Sequence, residues 1–318
     1  MTLVDLSRPI REGAPVYPGD PLFQARPFAT HAADGFRATR WIVGSHLNTH
    51  LDAPLHYFVD GESLDSFPVD FFCGDAFCLD CAALVGPDSA RYARRRATGR
   101  PAALEVEDLE PFDAFFDAAP IALLRVDWAR KFGARDFFAD FPSLSVDLCD
   151  WLADFPNLRI LGLETPSLVA EPPLADDDEN DVDDRANPFD DEFAELLEPH
   201  VELELEPDEP DEPSDPRDPA PLQDGELCAD AECHRVLLGR RPPILILEGL
   251  VALERLPRLV ATPGARARVP FDRDLLFQIS CFPLPVEAAD GAPTRAVATL
   301  RDDQAARVEK TPDATETP

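Results

Sequence analysis

His46-Leu-Asn-Thr-His50-Leu-Asp52-Ala-Pro-Leu-His56 places three imidazoles and one carboxylate in a single short stretch. The whole chain has six His, so half of them sit here. Neutral imidazole nitrogen and carboxylate oxygen are donors suited to zinc and manganese. An ion with an open coordination position polarises a carbonyl and generates hydroxide near neutral pH. The stretch therefore points to metal-assisted hydrolysis. It also constrains the backbone. The three His and Asp52 share one parity, so a straight strand would set them on one face. At about 3.3 Å per residue, however, a straight strand would separate His46 from Asp52 by roughly 20 Å. One ion holds its ligands at about 2 Å. The chain must therefore fold back between His46 and His50. Asn48 is the expected pivot, because Asn tolerates left-handed backbone. Pro54 and β-favouring neighbours argue against a long helix.

Outside this stretch, 318 residues at 45% hydrophobic content suffice for one large domain or two small ones. No apolar run approaches the roughly 18 to 20 residues that span a bilayer. The start, Met1-Thr-Leu-Val-Asp-Leu-Ser-Arg-Pro9, lacks the basic-then-apolar pattern of a signal peptide. A cytoplasmic protein without membrane association is expected. The net charge of −33 excludes nucleic-acid binding through a basic field. Asp176 to Asp215 holds 20 of the 62 acidic residues and one Arg, which indicates a local acidic insertion more than a salt-adapted surface. Seven Cys at irregular spacing argue against a disulfide framework. Cys78-Leu-Asp-Cys81 lies in an apolar run and reads as a pair of buried thiols.

Strands are expected at Phe36–Val43, Ala76–Val85, Ile121–Val126, Leu158–Leu163, Ile244–Leu247 and Leu275–Phe282. Residues 1–25, with turn signals at Gly13, Pro15 and Pro18-Gly19-Asp20, read as an extended segment or hairpin. Helices are expected at Val106–Phe116, Asp147–Phe155 and Glu232–Leu238. This alternation implies an α/β domain with a mixed sheet. One domain over 1–301 is expected. It is interrupted at about 172–229 by the Asp-, Glu- and Pro-rich insertion, which reads as mobile apart from a short helical stretch at Phe189–Leu197. Residues 302–318 read as a disordered tail.

The opening stretch resembles the His-x-Gly-Thr-His-x-Asp-x-Pro-x-His signature of the metal-dependent cyclase-like hydrolases, the family of bacterial kynurenine formamidase and isatin hydrolase. Asn48 stands where Gly is usual. Further similarity lies in Asp5-Leu-Ser-Arg-Pro-Ile10, Val16-Tyr-Pro-Gly-Asp20, Asp60-Gly61 with Phe67-Pro68, Gly162-Leu-Glu-Thr-Pro-Ser167, Pro283-Leu-Pro285 and Asp290-Gly-Ala-Pro293. It runs over roughly residues 3 to 300, apart from the acidic insertion. The resemblance implies a cyclase-like swivelling β/β/α domain. It also implies a second ligand set, His234 and Glu248, the latter closing the aliphatic run Ile244-Leu-Ile-Leu247. His46, His50 and Asp52 would hold one ion, and Asp52 would bridge to a second held by His234 and Glu248. Zinc is expected, with manganese as the alternative, as one or two ions per subunit. A carboxylate at the end of a buried strand needs a charge partner in any case.

Within this resemblance His56 is the general acid or base, a role that suits imidazole. Tyr17, where the formamidases carry an aromatic, either stacks on a planar substrate ring or packs beside Pro18. Ser167 lies near the site, or is an ordinary turn serine. The expected activity is hydrolysis of a small amide by hydroxide generated at the metal. An arylformamidase acting on an N-formylkynurenine-type substrate in tryptophan catabolism comes first. The alternatives are a cyclic imide, lactam or lactone hydrolase or cyclase of the same family, and a non-catalytic acidic partner-binding protein. A small-molecule substrate and a homodimer are expected.

Overall fold

The computed structural model describes residues 1–98, 102–170 and 228–308. Most of the acidic insertion, including 189–197, lies outside the described residues. In chain order the strands are β1 (Thr2–Asp5), β2 (Gln24–Ala29), β3 (Ala38–Ile42), β4 (His50–Asp52), β5 (Cys73–Asp80), β6 (Ala103–Leu104), β7 (Ile121–Arg125), β8 (Ser143–Leu144), β9 (Ile160–Leu163), β10 (Leu245–Glu248), β11 (Arg258–Val260), β12 (Phe277–Pro283) and β13 (Gly291–Leu300). The longer helices are α1 (Ala90–Thr98), α2 (Asp113–Ala118), α3 (Val146–Ala153), α4 (Ala229–Gly239) and α5 (Asp302–Val308).

The aliphatic runs form the middle of the fold. β5, β7, β9 and β10 lie side by side and parallel. Every residue of β7, β9 and β10 is buried, as expected of parallel strands covered on both faces. Antiparallel pairings of β12 with β5 and with β13 extend the sheet. β4 then joins its two ends. One edge of β4 pairs with β10 and the other with the first residues of β13. The sheet is therefore both mixed and closed on itself, with β1 attached to the far end of β13. Helices α3 and α4 pack together; Leu148, Cys149 and Leu152 are buried on one and Cys233, Leu237 and Leu238 on the other.

The structure adjusts several boundaries. The strand expected at Ala76–Val85 begins at Cys73 and stops at Asp80, and Ala82–Val85 turns helical. The Asp80 carboxylate accepts from the Ala82 amide and pairs with Arg125 and Arg258, which ends the strand. The helix expected over Val106–Phe116 is divided near Pro111 into separate short turns. Cys228, placed within the insertion by sequence, already caps α4. The disordered tail expected from 302 instead begins with α5. The buried Gln304 amide anchors it by donating to the Asp274 and Leu276 carbonyls, at 2.9 and 2.7 Å. A polar side chain holds this helix, so apolar periodicity gives no sign of it. Residues 309–318 lie outside the described residues. β13 is hidden in the sequence for a similar reason: its buried positions are filled largely by Ala and Thr.

Glu164 ties the ends of two central strands together. It follows β9, is 1% exposed, and accepts from the Val126 and Trp128 amides beyond β7 at 2.7 and 3.3 Å. Burial outweighs the Arg125 charge and the Val126 amide and pushes its carboxyl up to about 7, from 4.5. Between those values the folded state holds a proton that the unfolded chain has lost. Stability should therefore fall as pH rises from about 4.5 to about 7, by about 3 kcal/mol from this group. Glu164→Gln should flatten that slope in denaturant titrations across this range; an unchanged slope would contradict the burial argument.

Candidate metal centre

The site is built on β4. Asn48 has φ 56, and the chain reverses there between His46 and His50. The Asn48 side chain donates to the Pro9 carbonyl at 3.1 Å. Thr49 then donates to the Gly249 carbonyl at 2.8 Å. Gly249 has φ 65 and sits where a Cβ would overlap the Asn48 carbonyl oxygen, so this close approach requires glycine. In the register of the sheet, His50 lies opposite Glu248 on β10, and Asp52 lies opposite Gly291 on β13. Gly291 also has a steric role, since a Cβ there would stand 2.5 Å from Cε1 of His46.

The five expected ligands converge. His46 Nδ1 lies 2.7 Å from Asp52 Oδ1, and His50 Nε2 lies 3.2 Å from the same oxygen. His234 Nε2 lies 3.8 Å from Asp52 Oδ2 and 3.6 Å from Glu248 Oε1. His50 Nε2 is 3.5 Å from Glu248 Oε2. Two ligand triads result, His46–His50–Asp52 and Asp52–His234–Glu248, each with donor atoms within 4.8 Å of one another. Asp52 belongs to both.

Two features of the chain suit a cation here. The first is tautomer control. His50 Nδ1 donates to the Asn48 carbonyl at 3.1 Å, and His234 Nδ1 donates to the Asp230 carbonyl at 2.8 Å. In both rings Nε2 therefore faces the carboxylates and becomes the lone-pair donor once its proton is lost, the usual support of metal-binding His. The second is an orphaned atom. Glu248 Oε1 is buried and has no hydrogen-bond partner among the described residues. A buried carboxylate oxygen without a donor is costly unless a cation meets it. The donor set therefore fits a divalent ion.

The electrostatics follow from the same crowding. Burial opposes charge on Asp52, yet His50 and His46 hold it well below the usual carboxylate range. Burial, aided by the Asp52 charge, pushes Glu248 up to about 7. Burial also works against the imidazolium forms. It is outweighed at His46, raised to about 10 by Asp52 and Asp290, and at His234, raised to about 9 by Glu248, Asp230 and Asp52. His50 is raised chiefly by Asp52. Protons on the imidazoles thus supply the countercharge that an ion would otherwise provide, and an ion must displace them to bind.

His56 belongs to neither triad; with His46 and Asp290 it forms a third, more exposed group of potential ligands. Its ring lies 4.0 Å from that of His46, and its Nδ1 is 3.7 Å from Asp290 Oδ2. Asp290 also reaches His46 Nε2 at 2.9 Å, and those contacts lower its pKa. Sequence reasoning placed Asp290 in a family-like stretch and gave it no role. Only its position just before Gly291 on β13 brings it to the His. Tyr57 was also missed. Its ring stacks on His234 at 4.6 Å, and adjacency to His56 is the one signal for it in the sequence. Tyr17 lines a cleft of about 360 Å³, mouth included, with His46, His50, Arg8, Phe132 and Phe138, and meets Phe138 edge-on at 5.7 Å. Ser167 is buried and donates to the Asp230 carboxylate, so it braces the helix that carries His234.

The profile of the family described as "Putative cyclase" matches residues 4–169, a span that includes the His46-to-His56 stretch. Among solved structures, isatin hydrolase A from Labrenzia aggregata bound to benzyl benzoate is similar at 18% identity. The match covers 93% of each chain, with a TM-score of 0.59. Isatin hydrolase A from Ralstonia solanacearum matches at 18% identity over 93% of this chain and 91% of its own, with a TM-score of 0.57. A structure described as a potential metal-dependent hydrolase with cyclase activity matches at 17% identity over 93% and 96%, with a TM-score of 0.52. At these identities the likeness is one of fold. The profile covers more than half of the chain, and the protein belongs to the cyclase family.

Proposed function

We propose that this protein is a metal-dependent hydrolase of a small aromatic amide, with an arylformamide of the N-formylkynurenine type as the first candidate substrate. The observation that carries this reading is the pair of ligand triads sharing Asp52, set beside a cleft walled by Tyr17, Phe132 and Phe138. A divalent ion held by His46, His50 and Asp52, with His234 and Glu248 for a second, supplies Lewis-acid polarisation of a carbonyl and an activated water. Zinc is the first choice and manganese the alternative, since His, Asp and Glu donors suit both.

The remaining steps belong to the chain. The aromatic wall orients a planar substrate, and Tyr17 contributes to it. Water oxygen joins the carbonyl carbon, the carbon–nitrogen bond breaks, and the nitrogen leaves with a proton. His56 is the imidazole of the stretch outside the two buried triads, and it delivers that proton. The Asp290 carboxylate lies 3.7 Å from its Nδ1 and holds the ring beside that of His46. A second reading, opening of a cyclic amide, uses the same groups and breaks the same kind of bond. It is favoured by the fold similarity to two isatin hydrolases. A homodimer is also proposed. Phe28, Phe36 and Trp41, on and between β2 and β3, are 70%, 56% and 69% exposed, and exposed aromatics of this kind mark contact surfaces.

Elemental analysis should find zinc or manganese at one or two ions per chain. Asp52→Ala should abolish binding, and Glu248→Ala should lower the content of a two-ion protein to one. Absence of metal after reconstitution would sink the proposal. His56→Ala should retain metal and lose roughly 10²- to 10⁴-fold in kcat on whichever amide is turned over in a panel of N-formyl and cyclic amides. Full activity in that variant would remove His56 from the mechanism. Sedimentation equilibrium should give twice the 35.0 kDa of one chain, and Trp41→Asp should shift it towards the monomer; a monomeric native protein would refute the dimer.

A further inference from the structure

Arg8 occupies the cleft beside the candidate metal centre, and nothing proposed above uses it. Its backbone amide donates to Thr49 Oγ1 at 2.8 Å, the same hydroxyl that donates to the Gly249 carbonyl. The residue is thus fastened to the loop that carries His46 and His50. Its guanidinium lies 3.9 Å above the ring of Phe132 and 5.5 Å from that of Phe137. Nη2 is buried without a hydrogen-bond partner, and no carboxylate lies within ion-pair distance of the side chain among the described residues. Arg125 and Arg159 also have a buried nitrogen without a hydrogen bond, but their guanidinium groups are engaged elsewhere: Arg125 pairs with Asp80 and Asp127, and Arg159 Nη2 donates to the Cys73 carbonyl. Glu164 is the acidic group whose field Arg8 feels, but its carboxylate is engaged by the Val126 and Trp128 amides.

A cation held in this way is costly unless something binds it. A guanidinium stays protonated, so neutralisation does not relieve the cost. Its planar fork matches a carboxylate with two parallel hydrogen bonds. The chain carries a net charge of −33, which repels anions at long range. A local, half-buried cation offsets that field within the cleft beside the metal centre.

We propose that Arg8 is the recognition site for a carboxylate on the substrate, so that the natural substrate is an aryl amide that also bears a carboxylate. This rests on the amide-hydrolase reading of the site. The carboxylate takes no part in bond making. Water adds to the amide carbonyl, the carbon–nitrogen bond breaks, and the ring keeps its carboxylate throughout. A neutral cyclic amide would leave Arg8 unpaired, so the proposal favours an acidic substrate over a neutral one.

The test uses the full chain loaded with metal. Two amides are compared, 2-formamidobenzoate, which carries the carboxylate, and formanilide, which lacks it. The ratio of their kcat/KM values is measured in the native protein, in Arg8→Met and in Arg8→Lys. Met preserves the packing on Phe132 and removes the charge; Lys keeps the charge and loses the fork. The ratio should fall roughly 10- to 100-fold in Arg8→Met and by less in Arg8→Lys. An unchanged ratio in both would overturn the proposal. Calorimetric binding of anthranilate provides a readout that does not depend on turnover, and should weaken by a similar factor in Arg8→Met at unchanged metal content. Equal binding by native protein and Arg8→Met would also overturn it. Arg8-dependent binding of anthranilate without hydrolysis of either amide would remove the hydrolase reading and leave the carboxylate site in place. Should Arg8→Met fail to fold, the ratio in Arg8→Lys decides.

Discussion

Two carboxylates, Asp52 and Glu248, lie next to each other in the interior at 1% and 3% exposure, and the rest of the site is arranged around their need for positive charge. In such surroundings each charge is far more expensive than in water. Three imidazoles converge on Asp52, and the pKa shifts record the result: Asp52 stays ionised, the His are raised, and Glu248 is pushed towards its neutral form. Even so, Glu248 Oε1 has no hydrogen bond among the described residues, with His234 Nε2 at 3.6 Å. An arrangement in which imidazoles must hold protons to offset buried carboxylates is one that suits a divalent ion, which replaces those protons.

The closed sheet is what makes this crowding possible. β4 is only three residues long, yet both of its edges are paired, one with β10 and one with β13. That double pairing brings three distant parts of the chain into register. It sets Glu248 across from His50 and places Asp290 just ahead of the residue facing Asp52. The glycines at 249 and 291 are part of the same closure. One lets the β10 turn approach Asn48, and the other leaves room for the ring of His46. Removing side chains at these two points is how the sheet admits a turn and an imidazole at its seam.

In the proposed reaction the cleft is the source of specificity for a centre whose chemistry is otherwise general. Aromatic rings on one side suit a flat substrate, and Arg8 adds a charged group fastened to the metal loop through Thr49. Asp290 touches both His46 and His56, so the group assigned to proton transfer and one of the ligands share a neighbour. The position of the proposed proton carrier is thereby coupled to that of His46.

Much of this was legible in the sequence. Spacing alone required the chain to turn between His46 and His50, and Asn48 has the left-handed backbone expected of the pivot. The aliphatic runs at 121–126, 158–163 and 244–247 marked the central strands because continuous burial on both faces demands continuous hydrophobicity. His234 and Glu248 were reached through family resemblance, since no local pattern links them to a stretch so far away. Asp290, Tyr57 and Arg8 were not read as site residues at all. Arg8 and Asp290 lie in family-like stretches and Tyr57 follows His56, but their positions alone assign them no role, and each depends on which strand edge or loop lies opposite. By itself the sequence determined the ligand types, the turn at Asn48 and the α/β pattern, because these follow from side-chain chemistry and short-range geometry. Only the tertiary structure decided which carboxylates share a cavity, which guanidinium is left unpaired and which aspartate meets His56, because those are matters of strand order and register across the whole chain.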